Sequence, residues 1–114
     1  MAAGMTTIIF PVSDLQKAKA LFGAVLETEP YADAPYYVGY RVGGVEVGLD
    51  PNGHKQGHSG PIGYCDVDDI DAAIERLTAA GAKVHQEPRD VGGGMRVAVV
   101  HDPDGNPIGL RQSA

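Results

Sequence analysis

The sequence HDPDGNPIGLR, residues 101–111, predicts a tight turn between two β-strands. Its DPDG segment contains residues that β-turns favour, and apolar residues flank it on both sides. The end of this sequence, Ile108-Gly109-Leu110, nearly repeats Val47-Gly48-Leu49 earlier in the chain. If these segments are equivalent strands of a duplicated unit, their central glycines hold matching places.

Further similarities at a fixed separation indicate an internal repeat. At an offset of 55 residues, Val12-Ser13-Asp14-Leu15 matches Val67-Asp68-Asp69-Ile70, and Arg41-Val42 matches Arg96-Val97. The offset grows to 61 between the two glycines, Gly48 and Gly109. Loops tolerate insertions, so we expect the DPDG hairpin to absorb the difference. The chain is therefore predicted to contain two copies of one unit.

The composition favours one compact domain and disfavours several partners. The 114 residues are 43% apolar, which is sufficient for a modest core. The net charge is −6 and no basic run occurs, so a nucleic-acid partner is not expected. The single cysteine cannot form an internal disulfide, and residues 1–7 lack the basic flank and apolar run of an export signal. We expect a cytoplasmic protein without membrane attachment.

Hydrophobic periodicity predicts a βαβββ arrangement in each half of the chain. The first half is predicted to contain strands at 6–12, 29–32, 36–42 and 45–49, with a helix that begins at Leu15 after an N-cap at Ser13. Its packed face contains Ala18, Leu21, Phe22, Val25 and Leu26. The second half is predicted to contain a helix at 70–80 that ends at Gly81, and strands at 62–67, 82–87, 95–101 and 107–112.

This pattern resembles the vicinal oxygen chelate superfamily over nearly the whole chain. The resemblance rests on the paired modules, on Pro11-Val12-Ser13-Asp14-Leu15 and on Asp102-Pro103-Asp104-Gly105-Asn106. It implies an α+β fold in which two repeated βαβββ modules form curled mixed sheets around a cup. The single domain would span residues 1–114, with modules at about 6–50 and 62–113 and a linker at about 51–61. The superfamily includes glyoxalase I, extradiol dioxygenases, fosfomycin-resistance enzymes and bleomycin-resistance proteins, so the fold does not determine an activity.

Strand alternation predicts which side chains line the cup, because successive residues point to opposite faces. The more apolar face should lie under the helices, and the residues between should face the cup. The expected ligand-binding residues are Thr7, Tyr37, Arg41, Glu46, Gly48, Tyr64, Asp66, Arg96, Gly109 and Arg111. Arg96 joins this set through the repeat, and the two glycines would make room for an aromatic or acidic small molecule. Alternatively, Arg41 and Glu46 form only a cross-strand ion pair.

The resemblance also implies where a metal ion would bind. In metal-dependent members, residues on the first and last strands of each module hold a divalent ion, and these places correspond to Thr7, Gly48, Ile62 and Gly109. Two glycines, an isoleucine and one threonine do not form a usable ligand set. We therefore expect neither a bound metal nor another cofactor.

The remaining reactive side chains have simpler interpretations. His54 and His58 are predicted to be solvated loop residues rather than a metal-binding pair. His101 is assigned to turn formation and His85 to an exposed strand position. Cys65 is predicted to be a small buried side chain rather than a nucleophile.

Three functions remain open from the sequence. The favoured one is a metal-free, non-catalytic protein that binds a small molecule and resembles the bleomycin-resistance type. The alternative is a metal-dependent lyase or dioxygenase of the glyoxalase type, with ligands relocated to residues such as His54, His58, Glu46 and Asp66. A third is metal-independent acid–base catalysis by Glu46 or Asp66. We also expect a homodimer, because exposed strand edges and tyrosine-rich strands favour association.

Overall fold

The computed structural model of this protein describes residues 4–114, so the first three residues of the predicted domain lie outside it. The described chain has two compact units. We call Thr7–Ile62 the first unit, and Gly63–Ala114 together with residues 4–6 the second unit. Each unit has the predicted βαβββ order, which confirms the α+β fold with two repeated modules. No helix within residues 4–114 combines the length and apolar content needed to cross a membrane.

The first unit contains four strands and one helix. They are β1 (Met5–Pro11), α1 (Leu15–Leu26), β2 (Ala32–Ala34), β3 (Tyr37–Val42) and β4 (Val45–Asp50). The strand order is β2-β3-β4-β1, in which β1 runs parallel to β4 and the other pairs are antiparallel. β2 begins later than the predicted 29–32, since Pro30 lacks the N–H that a paired strand would use. The predicted linker belongs to this unit and includes a short 3₁₀ helix, His54–Gln56.

The second unit repeats this topology, with a longer strand in the place of β2. Its elements are β5 (Ile62–Asp66), α2 (Ile70–Ala79), β6 (Lys83–Asp90), β7 (Arg96–His101) and β8 (Pro107–Gln112). The order is β5-β8-β7-β6, and β5 runs parallel to β8. The register of β6 against β7 shifts twice, between Val84 and Gln86 and between Gln86 and Arg89. Pro88 lies in the second shift, where a residue without an N–H is tolerated.

An aspartate caps the N-terminus of each helix. The carboxylate of Asp14 accepts a hydrogen bond from the backbone N–H of Lys17 at 3.0 Å, and that of Asp69 accepts from Ala72 at 3.1 Å. The predicted N-cap at Ser13 is therefore wrong by one residue. A carboxylate also suits the positive end of the helix dipole. Gly81 follows α2 with a φ of +111° and turns the chain, the role predicted for it.

In the first unit, α1 packs on a core centred on the buried Val38, Tyr40 and Leu49. The rings of Phe10 and Phe22 lie 4.9 Å apart at this boundary, as expected for Phe22. Leu21 and Val25, however, are 70% and 72% exposed, so the prediction that they pack on the sheet is wrong. Apolar residues occur on more than one side of α1, so periodicity alone could not select its buried face.

In the second unit, the structure corrects the position of Arg96. Ala98, two residues further along β7, is buried against α2, and Arg96 lies on this same face. Its Nη1 donates to the carboxylate of Asp71 on α2 at 3.2 Å. Arg96 therefore lies on the helix side of the sheet, not on the predicted ligand-binding face.

The reason is the register of the repeat. The pair Gly39–Gly48 in the first hairpin corresponds to Val99–Gly109 in the second, so β3 and β7 are related by an offset of 60 residues, not 55. An odd shift of five residues moves every side chain to the other face. Most of the inserted residues lie before β7, where β6 is longer than β2. The DPDG hairpin absorbs only one.

Candidate functional site

The candidate site residues lie on the side of each sheet opposite its helix, which we call the far face. Apart from Arg96, all the predicted ligand-binding residues alternate with residues that pack against the helices. They form one group in each unit. The first-unit group is Thr7, Tyr37, Arg41, Glu46 and Gly48, and the second-unit group is Tyr64, Asp66, Gly109 and Arg111.

Glu46 is the centre of the first group. The hydroxyls of Tyr31 and Tyr37 both donate to its Oε2, at 2.5 and 2.6 Å. Hydrogen bonds to a carboxylate are short and stronger than those between neutral groups. Arg41 places its guanidinium carbon 3.8 Å from the centroid of the Tyr31 ring. We call Tyr31, Tyr37, Arg41 and Glu46 the tyrosine–glutamate cluster.

The electrostatics of the cluster keep Tyr31 protonated. Burial raises the pKa of the Tyr31 phenol, and the hydrogen bond to Glu46 raises it further, whereas Arg41 acts in the opposite direction. At neutral pH this phenol is therefore a hydrogen-bond donor rather than a base. The cluster presents an aromatic surface, a guanidinium and a hydrogen-bonded carboxylate in one place.

Two glycines allow the rings to lie close to the sheet. A β-carbon added at Gly39 would lie 2.8 Å from Cε2 of Tyr37 and 2.9 Å from Cε1 of Tyr31. A β-carbon at Gly48 would lie only 2.3 Å from Oη of Tyr37 and 2.6 Å from Cδ1 of Ile9. The expectation that Gly48 makes room for a ligand is thus corrected, because the phenol of Tyr37 takes that space.

Arg41 and Glu46 lie opposite each other on β3 and β4, as predicted. Their side-chain contacts extend beyond the simple cross-strand pair, however, because both involve Tyr31. Tyr31 was not among the predicted site residues. It lies in the bend before β2, and only the pairing of Ala32 with Gly39 reveals that it approaches this face.

The second group has a related design. The ring of Tyr64 covers Gly109, where an added β-carbon would lie 2.4 Å from Cδ2 of that ring. Nε of Arg111 donates to Oδ1 of Asp66 at 3.1 Å, and both side chains are partly exposed. In each unit, therefore, a tyrosine ring covers the glycine at the matching place, although Tyr37 belongs to β3 and Tyr64 to β5.

The places implied for metal ligands do not fit a divalent ion. Thr7 and Ile62 are each 2% exposed, and the space above Gly48 and Gly109 is taken by tyrosine side chains. Neither glycine nor isoleucine provides a donor side chain. Across residues 4–114, moreover, no three His, Cys, Asp or Glu side chains are grouped so that they could hold an ion.

Three other reactive side chains occupy different environments. His54 is exposed as predicted, but His58 is only 8% exposed, which corrects its assignment as a solvated residue. The turn folds back so that the His58 N–H donates to the carbonyl of Gly53 at 3.1 Å. Burial, followed by the charge of Asp66, raises the pKa of the Cys65 thiol. Cys65 is partly rather than fully buried, which corrects that part of its prediction, and the shift favours the thiol over the nucleophilic thiolate.

Two clefts lie away from both groups. One, of about 620 Å³, adjoins α1 and includes Lys19, Glu27 and Tyr40. The other, of about 550 Å³, adjoins His85 and His101, whose rings stack with centroids 4.4 Å apart. His85 is exposed, as predicted. Neither cleft includes a predicted ligand-binding residue, so the candidate site rests on the far-face groups.

Comparisons with known proteins agree with this architecture. The model of the Glyoxalase/Bleomycin resistance protein/Dioxygenase superfamily matches residues 4–110. A superfamily member from Vibrio splendidus 12B01 is similar, with 22% identity, a TM-score of 0.70 and coverage of 94% of this chain and 97% of its own. NAD-dependent benzaldehyde dehydrogenase from Legionella pneumophila is similar with 17% identity and a TM-score of 0.78, and the match covers 95% of this chain and 98% of that protein. Methylmalonyl-CoA epimerase from Mycobacterium tuberculosis is similar with 20% identity and a TM-score of 0.67, and the match covers 99% of this chain and 89% of that protein.

At these identities the structural likeness shows the fold alone. A search of curated proteins finds no match.

Proposed function

The chain belongs to the Glyoxalase/Bleomycin resistance protein/Dioxygenase superfamily, and we propose that it is a metal-free member that binds a small molecule without catalysing a reaction. The observation that carries this proposal is the packing of Tyr37 on Gly48 and of Tyr64 on Gly109. The resemblance assigns metal-ligating side chains to those two glycine positions. Tyrosines supplied by the same units fill the space that such ligands would need.

Ligand binding is supported by the chemistry of the far face. Tyr31 is 46% exposed, Arg41 is exposed, and Glu46 is partly exposed. Small-molecule sites combine aromatic surface with a few polar groups that orient the ligand. The tyrosine–glutamate cluster provides this combination, and Asp66 with Arg111 provides a second polar pair.

The contacts of the two carboxylates do not favour the catalytic alternatives. The metal-dependent alternative would need relocated ligands such as Glu46 and Asp66, but Glu46 accepts two phenol hydrogen bonds and Asp66 pairs with Arg111. An ion would have to displace these donors. A general base must likewise be available to accept a proton from the substrate.

A thermal-shift screen of small metabolites and antibiotics, with and without divalent metals, tests the proposal. A ligand at 100 times its Kd should stabilise the native state by about 2.7 kcal/mol and raise Tm by roughly 10 °C. We expect the shifts to persist in EDTA. We also expect no glyoxalase I activity with added Zn, Ni, Co or Mn.

Elemental analysis of the purified, untagged protein measures whether it contains a metal, which would contradict the proposal. Close to one metal per chain, lost in Glu46→Gln or Asp66→Asn but retained when His54 and His58 are replaced by alanine, would establish a rewired metalloenzyme instead. Metal lost only in the histidine variants would implicate the turn that contains them.

A further inference from the structure

We propose that the first unit contains a subsite for a small neutral phenol, and that the side chain of Tyr31 occupies this subsite in the free protein. The inference rests on the proposed ligand-binding function and names a ligand class for it. Its basis is that the contacts of Tyr31 are the contacts that a bound phenol would make.

Three contacts define the subsite. The ring of Tyr31 lies against Gly39, where a β-carbon would approach to 2.9 Å. The guanidinium of Arg41 lies over the ring, 3.8 Å from its centroid. The hydroxyl donates to Oε2 of Glu46 at 2.5 Å. Together they select a flat ring that carries a hydrogen-bond donor at one end.

Tyr31 is placed so that its side chain can leave while its backbone stays fixed. It is 46% exposed and lies in the bend between α1 and β2, outside both elements. Its backbone N–H donates to the carbonyl of Gly39 at 2.9 Å, which anchors the main chain. Rotation of an exposed side chain is fast compared with backbone rearrangement. Tyr40 provides the contrast, because it is fully buried.

The chemistry of the same contacts narrows the ligand class. A cation over a ring face favours an electron-rich aromatic ring, which an aliphatic alcohol lacks. A carboxylate accepts hydrogen bonds and cannot donate them, so an aryl ether could not replace the hydrogen bond that Tyr31 donates to Glu46. An anionic ligand would meet the charge of Glu46 at the same point. A neutral phenol satisfies all three conditions.

The test compares p-cresol with 4-methylanisole, which has the same ring but no hydroxyl, in binding to wild-type protein and Tyr31→Ala. Removal of the internal competitor should make Tyr31→Ala bind p-cresol at least tenfold more tightly than the wild type. It should also prefer p-cresol over 4-methylanisole by about tenfold, since a hydrogen bond to a charged group contributes about 1.5–3 kcal/mol. Adding Glu46→Gln should remove most of this preference.

Tyr36→Ala is the matched control, because Tyr36 is a neighbouring tyrosine that is 71% exposed. It should bind p-cresol no more tightly than the wild type. Tyr31→Phe keeps the ring but loses the bond to Glu46, so it should gain affinity for p-cresol even if Tyr31→Ala does not fold. Equal binding of the two compounds by Tyr31→Ala, or no gain in Tyr31→Phe, would overturn the subsite.

These results are separable from those that test the proposed function. A wild-type protein with stoichiometric metal and a phenol-selective Tyr31→Ala would refute the metal-free function and support the subsite. Metal-independent ligands found by the screen, with no preference for p-cresol in Tyr31→Ala, would support the function and refute the phenol class.

Discussion

Gly48→Ala tests the packing on which the proposed function depends. The added β-carbon would lie 2.3 Å from Oη of Tyr37, so the phenol must move by more than 1 Å to reach ordinary contact distance. Such a movement would break its 2.6 Å hydrogen bond to Glu46. The Cδ1 atom of Ile9, at 2.6 Å, must also move, but it is the end of a flexible side chain.

The expected loss of stability combines three effects. Overpacking costs about 1–3 kcal/mol, and loss of a hydrogen bond to a charged group costs about 1.5–3 kcal/mol. Replacing glycine by alanine also restricts the unfolded chain, which stabilises by about 0.4–1 kcal/mol. The net loss for Gly48→Ala should be about 2–5 kcal/mol. For a chain of this size Tm should fall by roughly 10–20 °C.

Urea unfolding followed by circular dichroism measures this loss, and Gly60→Ala is the control. An added β-carbon at Gly60 meets nothing within 4 Å, and no positive φ is recorded there. Gly60→Ala should therefore be neutral or slightly stabilising. In a Tyr37→Ala background, Gly48→Ala should cost less than about 1 kcal/mol, because only the contact with Ile9 remains.

Two results would refute this reasoning. If Gly48→Ala matched Gly60→Ala, no side chain would cover Gly48, and the space above it would be open to a metal-ligating side chain. If the cost were the same with and without the Tyr37 ring, the covering group would not be Tyr37.

Four further predictions follow from the packing, the caps and the charges. Phe22→Ala should lower the free energy of unfolding by about 3 kcal/mol in urea titrations, whereas Lys17→Ala should change it little; equal midpoints would contradict the assigned face of α1. Asp14→Ala should cost about 1 kcal/mol and Ser13→Ala much less by the same assay, and the reverse order would restore the serine cap. Hydrogen bonds from Asn106 hold the pKa of Asp102 below its usual value. The stabilising contribution of Asp102 is therefore present above its unfolded-state pKa and is lost as pH falls through the folded-state pKa. The Tm difference between wild type and Asp102→Asn should shrink from pH 6 to pH 2, and a constant difference would argue against this linkage. We also propose a homodimer, because the outer side of α1 exposes large apolar side chains; light scattering after size exclusion should give twice the 11.9 kDa chain mass, and a mass of one chain would rule it out.

The register of the repeat shows where sequence comparison reached its limit. Similarity between Arg41-Val42 and Arg96-Val97 indicated equivalent positions, yet hydrogen-bond pairing places Val99, not an earlier residue, opposite Gly109. Sequence similarity between two short segments does not show whether an odd or an even number of residues has been inserted between them. Only strand pairing determines which face a side chain occupies, and for Arg96 that face was the opposite one.

The tyrosines show the same limit in the site. Alternation placed Tyr37, Glu46 and Gly48 on one face, and the structure agrees. It could not show that Tyr37 covers Gly48, since the two residues lie on different strands and their proximity depends on the rotation of a long side chain. Tyr31 was missed because the second strand was predicted at 29–32, whereas β2 begins at Ala32 and Tyr31 lies in the bend before it.

The sequence by itself determined the features that depend on local preference and periodicity. These are the βαβββ order, the duplication, the start of both helices to within a residue, and the absence of donor side chains at Gly48 and Gly109. Tertiary structure alone decided which side of α1 is buried, which face Arg96 occupies and what fills the space above the glycines. The physical reason is that backbone patterns are set by neighbours in sequence, whereas packing and side-chain hydrogen bonds join residues that only strand pairing brings together.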